Sequence, residues 1–307
     1  MIFAIASGKG GTGKTTVSAS LAALWDNAVA VDLDVEEPNL HLFLNPEITD
    51  TEKAYITVPE LVEERCIKCG ACRDICQFKA ITLMADTLIT FPEMCHGCGG
   101  CMLICPEKAL VPGQRELGEI LRGKAGDTEF LMGRSRIGEA MSPPLMRQVK
   151  ERMGFIASGD VIIDAPPGVS CPAVSAVKDA NAIVLVTEPT PFGFHDFKLA
   201  YEAFSPMNIP MGAVINRAGL GDTSVQDFCA EKDIPIWAEI PYDRAIAEAY
   251  SHGKVIVEAV PGLKEVFLSL KEKMIEAANN TGEPDELDEL EALAGLAGAG
   301  RMGGGVF

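Results

Sequence analysis

Residues 2–16 read IFAIASGKGGTGKTT, and this stretch decides the fold. The apolar run at 2–6 predicts a short buried strand, and the residues from about Thr15 to Trp25 predict a helix. Between them, Gly8-Lys9-Gly10-Gly11-Thr12-Gly13-Lys14-Thr15 satisfies G-x-x-x-x-G-K-[ST] in the strand–loop–helix setting that gives the motif its meaning. The glycines let backbone N–H groups curl around phosphate oxygens, and the helix N-terminus adds a favourable dipole. Lys14 is placed to reach the β- and γ-phosphates. Thr15 offers a hydroxyl to Mg²⁺, and Thr12 and Thr16 complete the expected nucleotide-contacting set. The chain is therefore expected to bind a nucleotide.

Outward from the loop, apolar runs ending in polar residues recur: NAVAVDLD (27–34), DVIIDAPPG (160–168), AIVLVTEPTP (182–191), MGAVINRAG (211–219) and PIWAEIPYD (235–243). EFLMGRSRIGEA (129–140) reads as a strand and loop. Helical patterns fall at 143–155, 196–204, 223–231, 243–252 and 262–278. The expected fold is α/β, a mostly parallel doubly wound P-loop NTPase sheet with a small inserted α+β module. Functional residues should sit at the C-terminal ends of the strands. The pattern breaks at polar residues 45–58, which lead into a cysteine block. Four segments are expected: an ATPase part at 1–58, the insert at 59–112, the rest of the ATPase at 113–278, and an acidic, then Gly-rich, disordered tail at 279–307.

Lys9 makes the loop the deviant form KGGxGKT, and with it the chain resembles the MinD/ParA/Mrp (SIMIBI) family of dimeric P-loop ATPases. The resemblance implies that Lys9 crosses a dimer interface to the partner's nucleotide, much as an arginine finger does. Asp32 and Asp34 match the first switch, where Asp34 would position the attacking water. Asp164 matches the aspartate that helps hold Mg²⁺ with Thr15, and Pro166-Pro167-Gly168 matches the second switch. Asn216-Arg217 resembles the adenine-reading pair, and Pro241-Tyr242-Asp243 the segment beside the base. The resemblance thus makes Lys9, Lys14, Asp34 and Asp164 the catalytic set. ATP is expected over GTP, because the N-K-x-D of GTPases is missing.

Ten cysteines are present, and eight fall between 66 and 105. Cys66-x2-Cys69-x2-Cys72-x3-Cys76 is followed, 29 residues later, by Cys95-x2-Cys98-x2-Cys101-x3-Cys105-Pro106. Gly70/Gly99, Ile75/Ile104, Lys79/Lys108 and Ala80/Ala109 share that offset. Zinc takes four ligands, and two complete runs of this kind do not suit it. The block instead resembles bacterial ferredoxins with two [4Fe–4S] clusters. That resemblance assigns Cys66, Cys69, Cys72 and Cys105 to one cluster, and Cys76, Cys95, Cys98 and Cys101 to the other. Gln77 departs from the usual proline after the fourth cysteine. His96 is expected at the surface or behind a ligand. Cys229 is expected in the core. Cys171 is expected to be a buried structural cysteine, with ligation of an interface cluster as the alternative implied by the nitrogenase iron protein.

The formal charge of −18, with 44 acidic against 26 basic side chains, argues against binding nucleic acid or an anionic membrane. No run is apolar enough to span a bilayer and no signal peptide is recognised, so a cytoplasmic address is expected. Partners expected are a second copy or a similar ATPase, and a client iron–sulfur or redox protein. Three functions follow from the resemblance. The first is an ATPase that delivers or matures iron–sulfur or metal cofactors on a client. The second is an ATP-gated low-potential electron donor, and the third a MinD/ParA-like positioning ATPase.

Overall fold

The computed structural model describes residues 1–156 and 159–280. The acidic and Gly-rich part of the expected tail lies outside the described residues. Strand β1 (Ile2–Ala6) leads into α1 (Lys14–Leu24), β2 (Val29–Asp32) and the short α2 (His41–Leu44). The ribbon strand β3 (Glu47–Leu61) follows, then the insert with α3 (Ala71–Ile75), β4 (Ile81–Met84), β5 (Thr87–Thr90) and α4 (Gly100–Ile104), and then the second ribbon strand β6 (Leu110–Ala125). Then come β7 (Thr128–Ser135), α5 (Pro143–Ile156), β8 (Val161–Asp164), α6 (Cys171–Val177), β9 (Ala182–Thr187) and α7 (Pro191–Phe204). The chain closes with β10 (Met211–Ala218), α8 (Ser224–Glu231), β11 (Ile236–Pro241), α9 (Arg244–Ser251), α10 (Ile256–Ala259) and α11 (Leu263–Asn279).

Among the described residues, nine strands form one sheet in the order β11-β10-β9-β1-β8-β2-β7-β6-β3. Every pair from β11 to β7 is parallel, whereas β7–β6 and β6–β3 are antiparallel. The two-residue period of a strand splits its side chains between two cores. Ala4, Val31, Ile163 and Leu185 pack on one face with Leu145, Phe197 and Val225 of α5, α7 and α8. Phe3, Ala30, Ile162 and Val184 pack on the other with Leu21, Phe267 and Met274 of α1 and α11. The larger of these, the Val, Leu, Ile, Phe and Met side chains, each contribute roughly 1.5–3 kcal/mol when fully buried. The sheet is doubly wound, as its continuous apolar strands predict.

The expected break at 45–58 is instead β3, paired with β6 from Glu47↔Lys124 to Leu61↔Leu110. The half of β3 before Ala54 is exposed and polar, and only Ala54, Ile56 and Val58 reach the core, so its alternation is weak. The insert thus sits at the tip of a long ribbon, with boundaries at 61 and 110 inside those expected from sequence.

The 29-residue repeat is structural as well. Turns at Glu63–Arg65 and Pro92–Met94, and helices α3 and α4, obey the offset. The backbone is left-handed at Lys68 and Gly97, at Gly70 and Gly99, and at Lys79 and Lys108. The pair Leu61↔Leu110 closing the ribbon is the mate of Thr90↔Ile81 closing the β4–β5 hairpin.

Candidate functional site

The phosphate loop joins β1 to α1 at the C-terminal edge of the sheet, beside the end of β8. Buried Asp164 ties the loop to that strand: its Oδ1 accepts from Lys14 Nζ (2.9 Å) and Ser18 Oγ (2.8 Å), and its Oδ2 from Thr15 Oγ1 (2.8 Å). Burial opposes the charge on Lys14, but the carboxylates of Asp164, Asp32 and Asp34 together outweigh it, and the ammonium is held above its ordinary pKa. Asp32 is fully buried, accepting from the N–H groups of Asp34 and Leu40. Burial and the neighbouring Asp164 push it well above the carboxylate range. Half-buried Asp34 is pushed up to about 6, by burial first and Asp164 next, against the pull of Lys14.

A cavity of about 400 Å³ opens over this cluster, within the range of small-ligand sites. Its walls bring together most of the predicted set: Lys9, Gly10, Gly11, Gly13, Lys14, Thr15, Thr16, Asp34, Asn216, Arg217, Pro241 and Tyr242. Asn216 Nδ2 donates to the Thr12 carbonyl (2.7 Å), tying the end of β10 to the loop. Gly8 and Thr12 do not line the cavity. A Cβ at Gly8 would lie 1.9 Å from the Asp196 carbonyl oxygen, so that glycine serves close packing against α7. Thr12 is buried, with its Oγ1 lacking a hydrogen-bond partner among the described residues.

Lys9 is held within its own chain, where its Nζ donates to Glu188 Oε1 at 2.7 Å. Glu188 also pairs with Arg217. Burial alone would raise the Glu188 pKa, but Lys9 and Arg217 bring it below its ordinary value. Sequence reasoning passed over Ser18 and Glu188. A lone serine inside a helix carries no motif signal, whereas a glutamate ending the apolar run AIVLVT was there to be flagged. Phe43 and Tyr250, whose rings stand 5.4 Å apart, also line the cavity and were not anticipated.

In the insert, one small pocket is lined by Cys66, Cys69, Cys72 and Cys105 together. The fourth cysteine of the second run has therefore crossed to the first. Cys76 and Cys105 each accept a backbone N–H, from Ala80 (3.3 Å) and Ala109 (3.2 Å). Burial raises the Cys72 thiol, and raises Cys101 to about 11. Among the described residues no group of three or more His, Cys, Asp or Glu is arranged to hold a metal ion. A cuboidal cluster spaces its thiolates more widely than a single ion does, because iron and sulfide stand between them. His96 is exposed and stacks on Phe78. Cys229 is buried in the core, with its thiol pushed up to about 11. Cys171, expected to be buried, is exposed instead: it is the first residue of α6, on the turn that follows the second switch.

A larger groove, about 1010 Å³, includes Asn27 and Gly126 at the opposite, N-terminal edge of the strands. No described helix is long and apolar enough to cross a membrane.

Comparison with known proteins agrees with this geometry. The chain is 34% identical over 281 residues to the uncharacterized protein MJ0578 of Methanocaldococcus jannaschii, covering 90% of this chain and 97% of that one. It is 30% identical to MJ0579 of the same organism, covering 83% and 90%. Its fold is similar to that of MinD from Pyrococcus horikoshii, solved with Mg-ADP, at a TM-score of 0.55, 22% identity, and coverage of 92% and 99%. Residues 3–256 match the model of the CobQ/CobB/MinD/ParA nucleotide binding domain, and the chain belongs to that family of P-loop ATPases.

Proposed function

We propose that the chain is an Mg²⁺-dependent ATPase that hydrolyses ATP at a dimer interface and couples it to a two-cluster iron–sulfur module. Its work would be to deliver or mature an iron–sulfur or metal cofactor on a client protein. The observation that carries the coupling is where the ribbon grows. β3, the edge strand of the sheet, follows the first switch after the short α2, and β7, into which the returning β6 turns, lies beside β2, with Ser135 N–H donating to the Val35 carbonyl (2.8 Å). Movement of the switch therefore reaches the root of the insert.

At the nucleotide, Lys14 would bind the β- and γ-phosphates, and the loop N–H groups would orient them. Thr15 and Asp164 would hold Mg²⁺, which supplies charge neutralisation on the phosphates. Asp34, once ionised, would orient the attacking water. Asn216, Arg217, Pro241 and Tyr242 would hold the base. Lys9 would leave Glu188 and reach the nucleotide of a partner, either a second copy or a related ATPase.

The donor set of the insert suits two [4Fe–4S] clusters, one on Cys66, Cys69, Cys72 and Cys105 and the other on Cys76, Cys95, Cys98 and Cys101. Eight thiols in two repeated halves, with one four-cysteine pocket already gathered, support this reading. Such clusters supply one-electron capacity. The N–H donors of Ala80 and Ala109 would stabilise thiolate charge. An ATP-gated electron donor is the second reading, favoured by the placing of the two halves in series along one ribbon.

Iron and sulfide analysis of anaerobically purified protein, together with its ATPase rate, tests the proposal. About eight irons per chain, with Mg²⁺-dependent hydrolysis, is the expected result. Hydrolysis without iron would refute the cluster reading and leave a MinD/ParA-like positioning ATPase. Iron without hydrolysis would refute the ATPase.

A further inference from the structure

The two halves of the insert repeat in sequence but differ in surroundings. Cys95 packs against the apolar core of the main sheet, whereas its mate Cys66 packs within the insert's own small core. A Cβ at Gly97 would lie 2.6 Å from Ile56 Cγ1, so this loop lies flat on β3. Its mate is Lys68, which is exposed. Glu93, two residues before Cys95, pairs with Arg136 and, at 3.3 Å, with Arg115. Its mate Glu64 makes no ion pair among the described residues.

These pairs lead to the nucleotide switch. Arg115 is buried and also pairs with buried Glu139, which in turn meets Arg136 Nε at 3.3 Å. Arg136 and Glu139 share the wall of one cavity with Asp34, Glu36 and Pro167, residues of both switch segments. Glu36 accepts from Ser142 Oγ, and Val35 O from Ser135 N–H. Loop 135–142 is thus fastened to the first switch on one side and to Glu93 on the other. Buried Arg115 and Glu139 stay together, because parting them leaves a charge uncompensated. Glu93 is itself exposed, and its hold on the loop is the pair of contacts it makes to Arg115 and Arg136 at once.

We propose that Glu93, gripped by Arg115 and Arg136, is a positioning residue that passes nucleotide-driven movement of loop 135–142 to the second half of the insert (Cys95–Cys101). Among the described residues, the first half (Cys66–Cys72) has no such grip on loop 135–142 and meets the second half through the insert's own small core. The redox consequence rests on the cluster reading proposed above, but the mechanical coupling does not. It predicts that nucleotide retunes the inner of the two thiolate sites and leaves the outer one unaltered.

Hydrogen exchange of the full chain, with and without Mg²⁺ and a non-hydrolysable ATP analogue, tests this. Nucleotide should slow exchange across 93–101 about fivefold or more, the lower end of ordinary coupling, and leave 64–72 within about twofold. Glu93→Gln and, separately, Arg136→Gln should abolish the difference while analogue affinity and Tm stay as in the parent protein. Glu64→Gln should keep it. An equal response in both halves, no response in either, or a response that survives Glu93→Gln and Arg136→Gln would overturn the proposal. Iron analysis on the same samples separates the two failures. An iron-free parent protein would sink the cluster reading, and the exchange data would still decide the coupling.

Discussion

The phosphate loop and the cysteine insert both bring functional side chains together, but they are held by different means. The loop is clamped between two large apolar cores, and Lys14, Thr15, Ser18 and Asp164 are already joined by hydrogen bonds. The buried core of the insert consists of Cys72, Ile81, Leu88, Cys101 and Leu110, so two of its five members are themselves proposed ligands. A core that small cannot offset much chain entropy, and domains of this size lean on metals. The first site is built before its ligand arrives. The second depends on its ligand for stability.

Removing the iron breaks this comparison hardest. Anaerobic chelation should unfold 62–109, read as loss of amide protection there, while the Tm of the sheet stays close to that of the holoprotein. An insert that stays protected without metal would show that its apolar core suffices. Lys14→Ala comes next. ATPase activity should fall about 10³-fold, the scale of losing a charge that stabilises phosphoryl transfer. Iron content should be unchanged, because nothing in the insert touches Lys14.

Glu139→Ala sits at the junction between the two regions. Arg115 and Glu139 are 5% and 1% exposed in their side chains; breaking such a buried pair costs ~3–5 kcal/mol, and because Arg115 keeps its contact with Glu93 the lower end, about 3 kcal/mol, is expected. Denaturant unfolding should register that loss. Replacing half-buried Glu119, which pairs with exposed Arg134 at 2.7 Å, should cost no more than about 1 kcal/mol.

The smallest effect is on pH. Asp34 titrates near 6 against an ordinary 3.8, so kcat/KM should fall on the acid side of about pH 6 as the water-orienting carboxylate is lost. The same raised value means that protonated Asp34 favours the fold. The Mg²⁺-free protein should therefore lose stability as pH rises from the ordinary carboxylate value to about 6. Asp34→Asn should remove both effects, and a limb that survives it belongs to another group.

What the sequence made legible follows the same division. Strands such as AIVLVT are apolar on both faces, so their runs stand out, and the phosphate loop carries a spacing with few other meanings. Most of the lysines, carboxylates and strand-end residues expected at the nucleotide do line one cavity. β3 was illegible because an edge strand has one face in water, and its first seven residues are exposed. Ser18 acts through a partner brought near by the fold, and its neighbours in sequence do not reveal it; Glu188 stood in plain view at the end of an apolar run, but its partners Lys9 and Arg217 are far away in sequence. Cys171 is exposed because it opens α6, and Ser170-Cys171-Pro172 carried the signal of a helix start.

An EPR-monitored redox titration of the anaerobically purified chain, with and without Mg-ATP, tests the central claim most directly. Two [4Fe–4S] signals are expected, one of which moves with nucleotide. For a one-electron step, about 59 mV is a tenfold change in the equilibrium constant. Two signals whose potentials ignore Mg-ATP, in a protein that hydrolyses it, would contradict the claim that nucleotide retunes the inner cluster site.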